Sequence, residues 1–111
     1  MATHCADEQG KFWDFHDILF NNWDGENTGW ASTDNLWKFA MELELDMEKM
    51  TECMNSQKYI SKIDASNNDA NNLGLTGTPA FFVVDKNNNV IKISGAQPFD
   101  VFKRIFDKSN N

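Results

Sequence analysis

Apolar residues recur at helical spacing through most of the chain and then, near its end, in short unbroken runs, so the pattern predicts helices first and strands afterwards. Phe12, Phe15, His16, Leu19 and Trp23 share one face of a helix predicted from Thr3 to about Trp23, with Trp13 and Phe20 flanking it. Thr3 is the expected cap, and Asp7 and Glu8 suit the positive end. The stretch "DGENTG" breaks the pattern as a loop. Ser32 or Thr33 then caps a helix to about Leu43, with Leu36, Trp37, Phe39, Ala40 and Leu43 facing inward. Asp46 caps a short helix carrying Met47, Met50, Cys53 and Met54, whose spacing makes the methionines gap-filling core. A fourth helix is predicted from Gln57 to Leu73, with Tyr59, Ile60, Ile63, Ala70 and Leu73 on its apolar side and Gly74 ending it.

After Gly74 the pattern changes. "AFFVV", Ala80 to Val84, is apolar at every position and reads as a central strand covered above and below. "DKNNN" is turn chemistry, and "VIKIS", Val90 to Ser94, reads as the antiparallel return strand. Pro98 opens a last helix to about Asp107, with Phe99, Phe102, Ile105 and Phe106 as its core face. The predicted order is four helices, a hairpin and one helix, an α+β arrangement within the broad α/β class. A strand apolar on both faces wants a neighbour on each edge, and these residues offer it one. A second copy of the chain, strands from outside it, or a helical layer folded over the hairpin is expected to supply the rest, and a homodimer is the favoured expectation.

Composition narrows the classes. The 111 residues fit one domain, and four Trp and nine Phe mean that much of the driving force comes from burying large rings. The net charge is −7 and no basic stripe is present, which argues against nucleic-acid and anionic-membrane partners. The one basic cluster, Lys103, Arg104 and Lys108, falls where it complements the dipole of the last helix. No stretch approaches the length of a membrane span. If Met1 is the natural start, the expected compartment is the cytoplasm; a fragment of an exported protein would instead be extracytoplasmic.

Four segments resemble, in sequence and in order, the later part of the DsbA-like thioredoxin-fold thiol-disulfide oxidoreductases: "HCADEQGKFWDFHDILF", "FAMELELDMEKMTECMNSQKY", "LGLTGTPAFFVVD" and "ISGAQPFDVFKRIFD". The resemblance implies a partial thioredoxin-like fold, with residues 1–73 as the family's helical insertion and residues 74–111 as the C-terminal half. It also implies a missing strand, Cys-x-x-Cys helix and second strand, since this sequence contains no Cys-x-x-Cys. By the same resemblance the Thr78–Pro79 bond is expected to be cis, with Thr78 and Pro79 forming a substrate-binding loop whose backbone pairs with extended or unfolded protein thiols.

Cys5 and Cys53 lie too far apart to form a reactive dithiol motif. Three readings stand for them: a structural disulfide of the kind some family members carry in the insertion, two reduced core residues, or a reactive thiolate at Cys5 beside His4, which Asp7 and Glu8 would oppose. Cys5 is thus a weak catalytic candidate. His4 and Cys5 alone make no metal motif, His16 reads as a core histidine, and no cofactor or metal is implied. Glu42, Glu44, Asp46 and Glu48 read as a solvated acidic face. The leading expectation is the substrate-facing and helical part of a DsbA-like oxidoreductase, redox-inactive alone. The alternatives are a redox-silent peptide-binding module using the same proline loop, or a one-cysteine thiol enzyme working through Cys5, so whether the chain is an enzyme stays open.

Overall fold

A computed structural model describes residues 1–110 and contains, among them, six α-helices and one two-stranded antiparallel sheet. The helices are α1 (Ala2–Asp7), α2 (Phe12–Asn21), α3 (Thr33–Glu42), α4 (Met47–Ser56) and α5 (Ile60–Asn72), followed by strands β1 (Ala80–Val84) and β2 (Val90–Ser94) and helix α6 (Phe99–Ser109). The chain divides into two compact units, Met1–Ala65 and Ser66–Asn111, with the boundary inside α5.

The long first helix expected from Thr3 to Trp23 is two helices. Gly10 takes φ +70°, and the Lys11 and Gly10 amides donate back to the Ala6 and Asp7 carbonyls, the two bonds of a Schellman termination. The N-cap of α1 is Met1, not Thr3, and no side chain caps it. Periodicity concealed the break because apolar residues resume one residue beyond Lys11. The same termination ends α3 at Glu44 (φ +57°), where the Leu45 and Glu44 amides reach Ala40 and Met41. It ends α5 at Gly74 (φ +73°), where Leu75 and Gly74 reach Ala70 and Asn71. The expected caps of α3 and α4 are present: the Ser32 side chain accepts from the Asn35 amide, and the Asp46 carboxylate from Glu48 and Lys49. The fourth predicted helix begins three residues late, because Gln57 is left-handed (φ +53°) and closes α4.

In the first unit Phe15 of α2 packs with Ala2, Cys5 and Ala6 of α1, Phe39 and Ala40 of α3, Leu45, and Met50 and Cys53 of α4. Met47, Met54, Leu36, Trp37 and Leu43 pack partly buried against this core. Two side-chain bonds pin the α1–α2 loop to the start of α4: Gln9 donates to the Asp46 carbonyl (3.1 Å) and accepts from the Asp46 amide (2.7 Å). Cys5 and Cys53 are joined as a disulfide, S–S 2.06 Å with Cα atoms 5.8 Å apart, so α1 is bonded to α4 across the core.

In the second unit β1 and β2 pair in register from Ala80 opposite Ser94 to Val84 opposite Val90. Asp85 closes the turn, its carboxylate accepting from the amides of Asn87 and Asn89 and the side chain of Asn89, which holds its carboxyl below the ordinary range. Helix α6 lies on one face of the hairpin, where Phe102 meets Phe81 edge to face at 5.1 Å and Ile93 is buried. Coverage is narrower than expected. Phe99 is 76% exposed and Phe106 is exposed, because a sheet two strands wide shields only the stripe of α6 through Val101, Phe102 and Ile105. Leu73 of α5 is exposed as well, and so is Ile60, at the start of the same helix in the first unit.

A 48-residue separation between the linked cysteines restricts the unfolded chain strongly, on the order of 2 to 4 kcal/mol in the loop-entropy account. Reduction should lower the melting temperature by at least several degrees, and non-reducing peptide mapping should recover the two cysteines as one intrachain pair. Two titratable thiols in protein never exposed to reductant would contradict the structure.

Candidate functional site

Thr78 and Pro79 stand at the head of β1, on a loop held from several sides. The Gly95 amide donates to the Pro79 carbonyl at 2.8 Å, and the Lys92 ammonium donates to the Gly74 carbonyl at 3.0 Å, fixing the loop's start to β2. Gln97 closes the far side, its side chain donating to Ser94 and its amide to Gly95. The Thr78–Pro79 peptide is cis. Both residues are exposed, beside an open groove of about 300 Å³ whose lining includes Leu75, Thr78, Pro79, Ala80, Lys92 and Gly95. Among the described residues, none of the hydrogen bonds that hold the loop uses the Thr78 backbone.

The ladder sets which way the backbone groups of β1 point. Pro79 and Asp85 bond across to Gly95 and Asn89, so the odd-numbered residues face β2. In an antiparallel strand alternate residues present their N–H and C=O to opposite edges. Ala80, Phe82 and Val84 therefore offer theirs to the edge away from β2, where no strand lies among the described residues.

The cysteines lie in the other unit and supply no reactive group as found. Cys5 is 1% and Cys53 3% exposed, and neither is a free thiol. Beside Cys53 is a polar hollow of about 650 Å³ lined by Glu8, Gln9, Lys49, Glu52, Ser56 and Lys58. On its rim Glu8 pairs with Lys58 and accepts from the Tyr59 hydroxyl at 2.7 Å, while His4 stacks on the Tyr59 ring with centroids 5.0 Å apart. The Lys58 hydrogen bond, then that of Tyr59, holds the Glu8 carboxyl below its ordinary range; Glu8 in turn raises both Lys58 and Tyr59. Sequence reading missed this cluster. Its members are some fifty positions apart, and no local pattern links them. No group of three metal-ligating side chains occurs among the described residues.

His16 does not lie in the core. Phe15 takes the buried position, which turns His16 onto the outer stripe of α2, half-exposed, between Trp13 (centroids 5.2 Å apart) and Phe20 (4.6 Å), with its Nδ1 3.0 Å from Asp17. Trp13 is 69% exposed, and Phe20 and Trp23 are similarly open, against the expectation that Trp23 faces inward.

A helical segment leading into a proline-headed hairpin with a helix on one face is the α+β arrangement of a thioredoxin-like domain. The chain belongs to the DSBA-like thioredoxin domain family, whose model matches residues 1–107. It is 30% identical over 82 residues to the Na(+)/H(+) antiporter NhaA 3 of Salinispora tropica and 29% identical over 82 residues to NhaA 1 of Salinispora arenicola. In each case the match covers 74% of this chain and 12% of the relative. No solved structure gives a significant match.

The lowered Glu8 carboxyl sets a pH dependence with a definite sign. A carboxylate depressed in the fold contributes stability that is fully present above the ordinary glutamate range and is lost as pH falls through the depressed value. Glu8→Gln should therefore melt slightly below the wild type at neutral pH, the gap closing as the pH passes down through that window. Thermal melts across the acid range will show it, and a gap of equal size at neutral and strongly acid pH would remove Glu8 as its source.

Proposed function

We propose that residues 1–111 are the substrate-facing and helical part of a DsbA-like thiol-disulfide oxidoreductase whose reactive dithiol comes from outside this segment. One observation carries the reading. The segment matches that family almost end to end, yet both its cysteines are consumed in one buried disulfide while the Thr78–Pro79 loop stands open to solvent. In the family reaction a substrate thiolate attacks the enzyme disulfide, giving a mixed disulfide and one enzyme thiolate. A second substrate thiolate then attacks the mixed disulfide, leaving an oxidised substrate and a reduced enzyme. Nothing in residues 1–111 contributes the attacked disulfide. Their part is to hold an extended polypeptide by backbone pairing at Thr78, a mode that reads chain conformation more than side chains and so suits unfolded substrates.

Recognition without redox chemistry is the second reading, favoured by the same open loop and by the absence of a free thiol among the described residues. A one-cysteine enzyme would need Cys5 as an accessible thiolate, and its sulfur is bonded and buried. The antiporter activity named for the two Salinispora proteins stays with those chains, since the shared stretch is 12% of their length.

The chain should leave dithiothreitol-driven insulin reduction at its uncatalysed rate. An unfolded, thiol-blocked protein should shift amide resonances from Leu75 to Ala80, and Thr78→Pro, which deletes the N–H, should weaken that binding several-fold. Rapid turnover abolished by Cys5→Ser would install the one-cysteine enzyme instead. Shifts that avoid the loop would defeat the recognition reading in both its forms.

A further inference from the structure

We infer that His4, Glu8, Lys58 and Tyr59 form a reversible clasp which, together with Gln9, holds α1 on α4 when the Cys5–Cys53 bond is open and keeps the two thiols placed to close again. The inference goes beyond the oxidoreductase reading and does not rest on it, and every residue it uses lies in the first unit.

Position along α4 argues for it first. Gln9 is bonded to Asp46, the N-cap of that helix, and Glu8 reaches Lys58 and Tyr59, just past its C-cap Gln57. Two adjacent residues at the end of α1 thus grip α4 at both of its ends, and Cys53 lies between the grips. The disulfide is a third link between the same two elements, and neither of the others passes through sulfur.

The clasp also fixes how α1 is turned. His4 and Glu8 are one helical turn apart and share a face. Both meet Tyr59: His4 stacks on the ring with centroids 5.0 Å apart, and Glu8 accepts from the hydroxyl at 2.7 Å. The ring itself packs partly buried against the core, with the Lys58 ammonium 5.8 Å from its centroid. Two contacts a turn apart restrain rotation of α1 about its axis, and that rotation is what aims the side chain of Cys5, the neighbour of His4. Ionised partners make the Glu8 bonds stronger than neutral ones.

Thiols confined in this way react as an intramolecular pair, at an effective concentration set by how closely the fold holds them. With a small-molecule disulfide as oxidant, one cysteine thiolate attacks it, forming a mixed disulfide and releasing one small thiolate. The second cysteine thiolate then attacks the cysteine sulfur of the mixed disulfide, restoring the Cys5–Cys53 bond and releasing the other small thiolate. The chain gives up two electrons, and the oxidant is reduced to two thiols. The clasp favours the second step. Because each link confines α1 for the others, the closed disulfide strengthens the clasp by the same factor.

Equilibration of the chain in mixtures of reduced and oxidised glutathione at one pH, quenched with an alkylating agent, gives the effective concentration of the cysteine pair. Glu8→Gln and Tyr59→Phe should each lower it several-fold. Ser32→Ala, which removes the α3 cap at an exposed position outside both α1 and α4, should leave it unchanged. In fully reduced wild-type protein, nuclear Overhauser contacts between the His4 and Tyr59 rings should persist; should a variant fail to fold, that measurement decides the matter alone. Loss of the ring contact on reduction overturns the proposal, as does a wild-type value in both clasp variants. An equal fall in Ser32→Ala overturns it too, since general stability would then be what places the thiols.

Discussion

The disulfide between Cys5 and Cys53 is the constraint on which the helical unit depends. Helix α1 has six residues and α2, α3 and α4 have ten each, lengths at which an isolated helix in water is marginal at best. Tertiary contact must hold them, and the core that provides it is small, with Phe15, Met50 and Cys5 as its largest fully buried side chains. Bonding α1 to α4 fixes the shortest helix against the core it completes. The Gln9 clamp on Asp46 then determines how the chain leaves α1, and through it the placement of α2 and Phe15.

The second unit is constrained instead by backbone geometry. Two strands satisfy half of the peptide groups of β1, and a single helix covers one face. Among the described residues, the edge of β1 away from β2 carries no charge, and Phe82 and Val84 are exposed beside the proline loop. The proposed recognition at Thr78 draws on the backbone groups at the head of this strand.

Local chemistry was legible wherever a single residue type dictates a backbone state. Ser32 and Asp46 as caps, Gly74 as a terminator, Pro98 ahead of α6, the turn after Val84 and the antiparallel hairpin itself can all be read in advance. Two breaks were not legible. Gly10 sits just ahead of the apolar pattern of α2, and Gln57 adopts a left-handed conformation that its residue type does not advertise. The proline loop stood out as a candidate site only through the family resemblance, since nothing in the periodicity distinguishes Pro79 from a proline that merely opens a strand. The Cys5–Cys53 link and the Glu8, Lys58 and Tyr59 cluster join residues about fifty positions apart, and a single sequence does not encode such pairings in any local pattern. His16 and Trp23 were misplaced for a plainer reason: a ten-residue helix in a small core buries one large aromatic, and Phe15 occupies that position.

Burial also explains how a chain in this family can hold a disulfide without spending it. Thiol-disulfide exchange needs a thiolate to reach a sulfur, so access helps to set its rate while the reduction potential sets where the equilibrium lies. With Cys5 and Cys53 nearly sealed by the surrounding helices, an attacking thiolate would first have to open the core they hold together. The exposed loop at Thr78 has the opposite character, since it offers backbone to solvent and no sulfur. In the proposed function, recognition at the loop and redox chemistry are thereby separate, the buried disulfide of the helical unit standing outside the exchange.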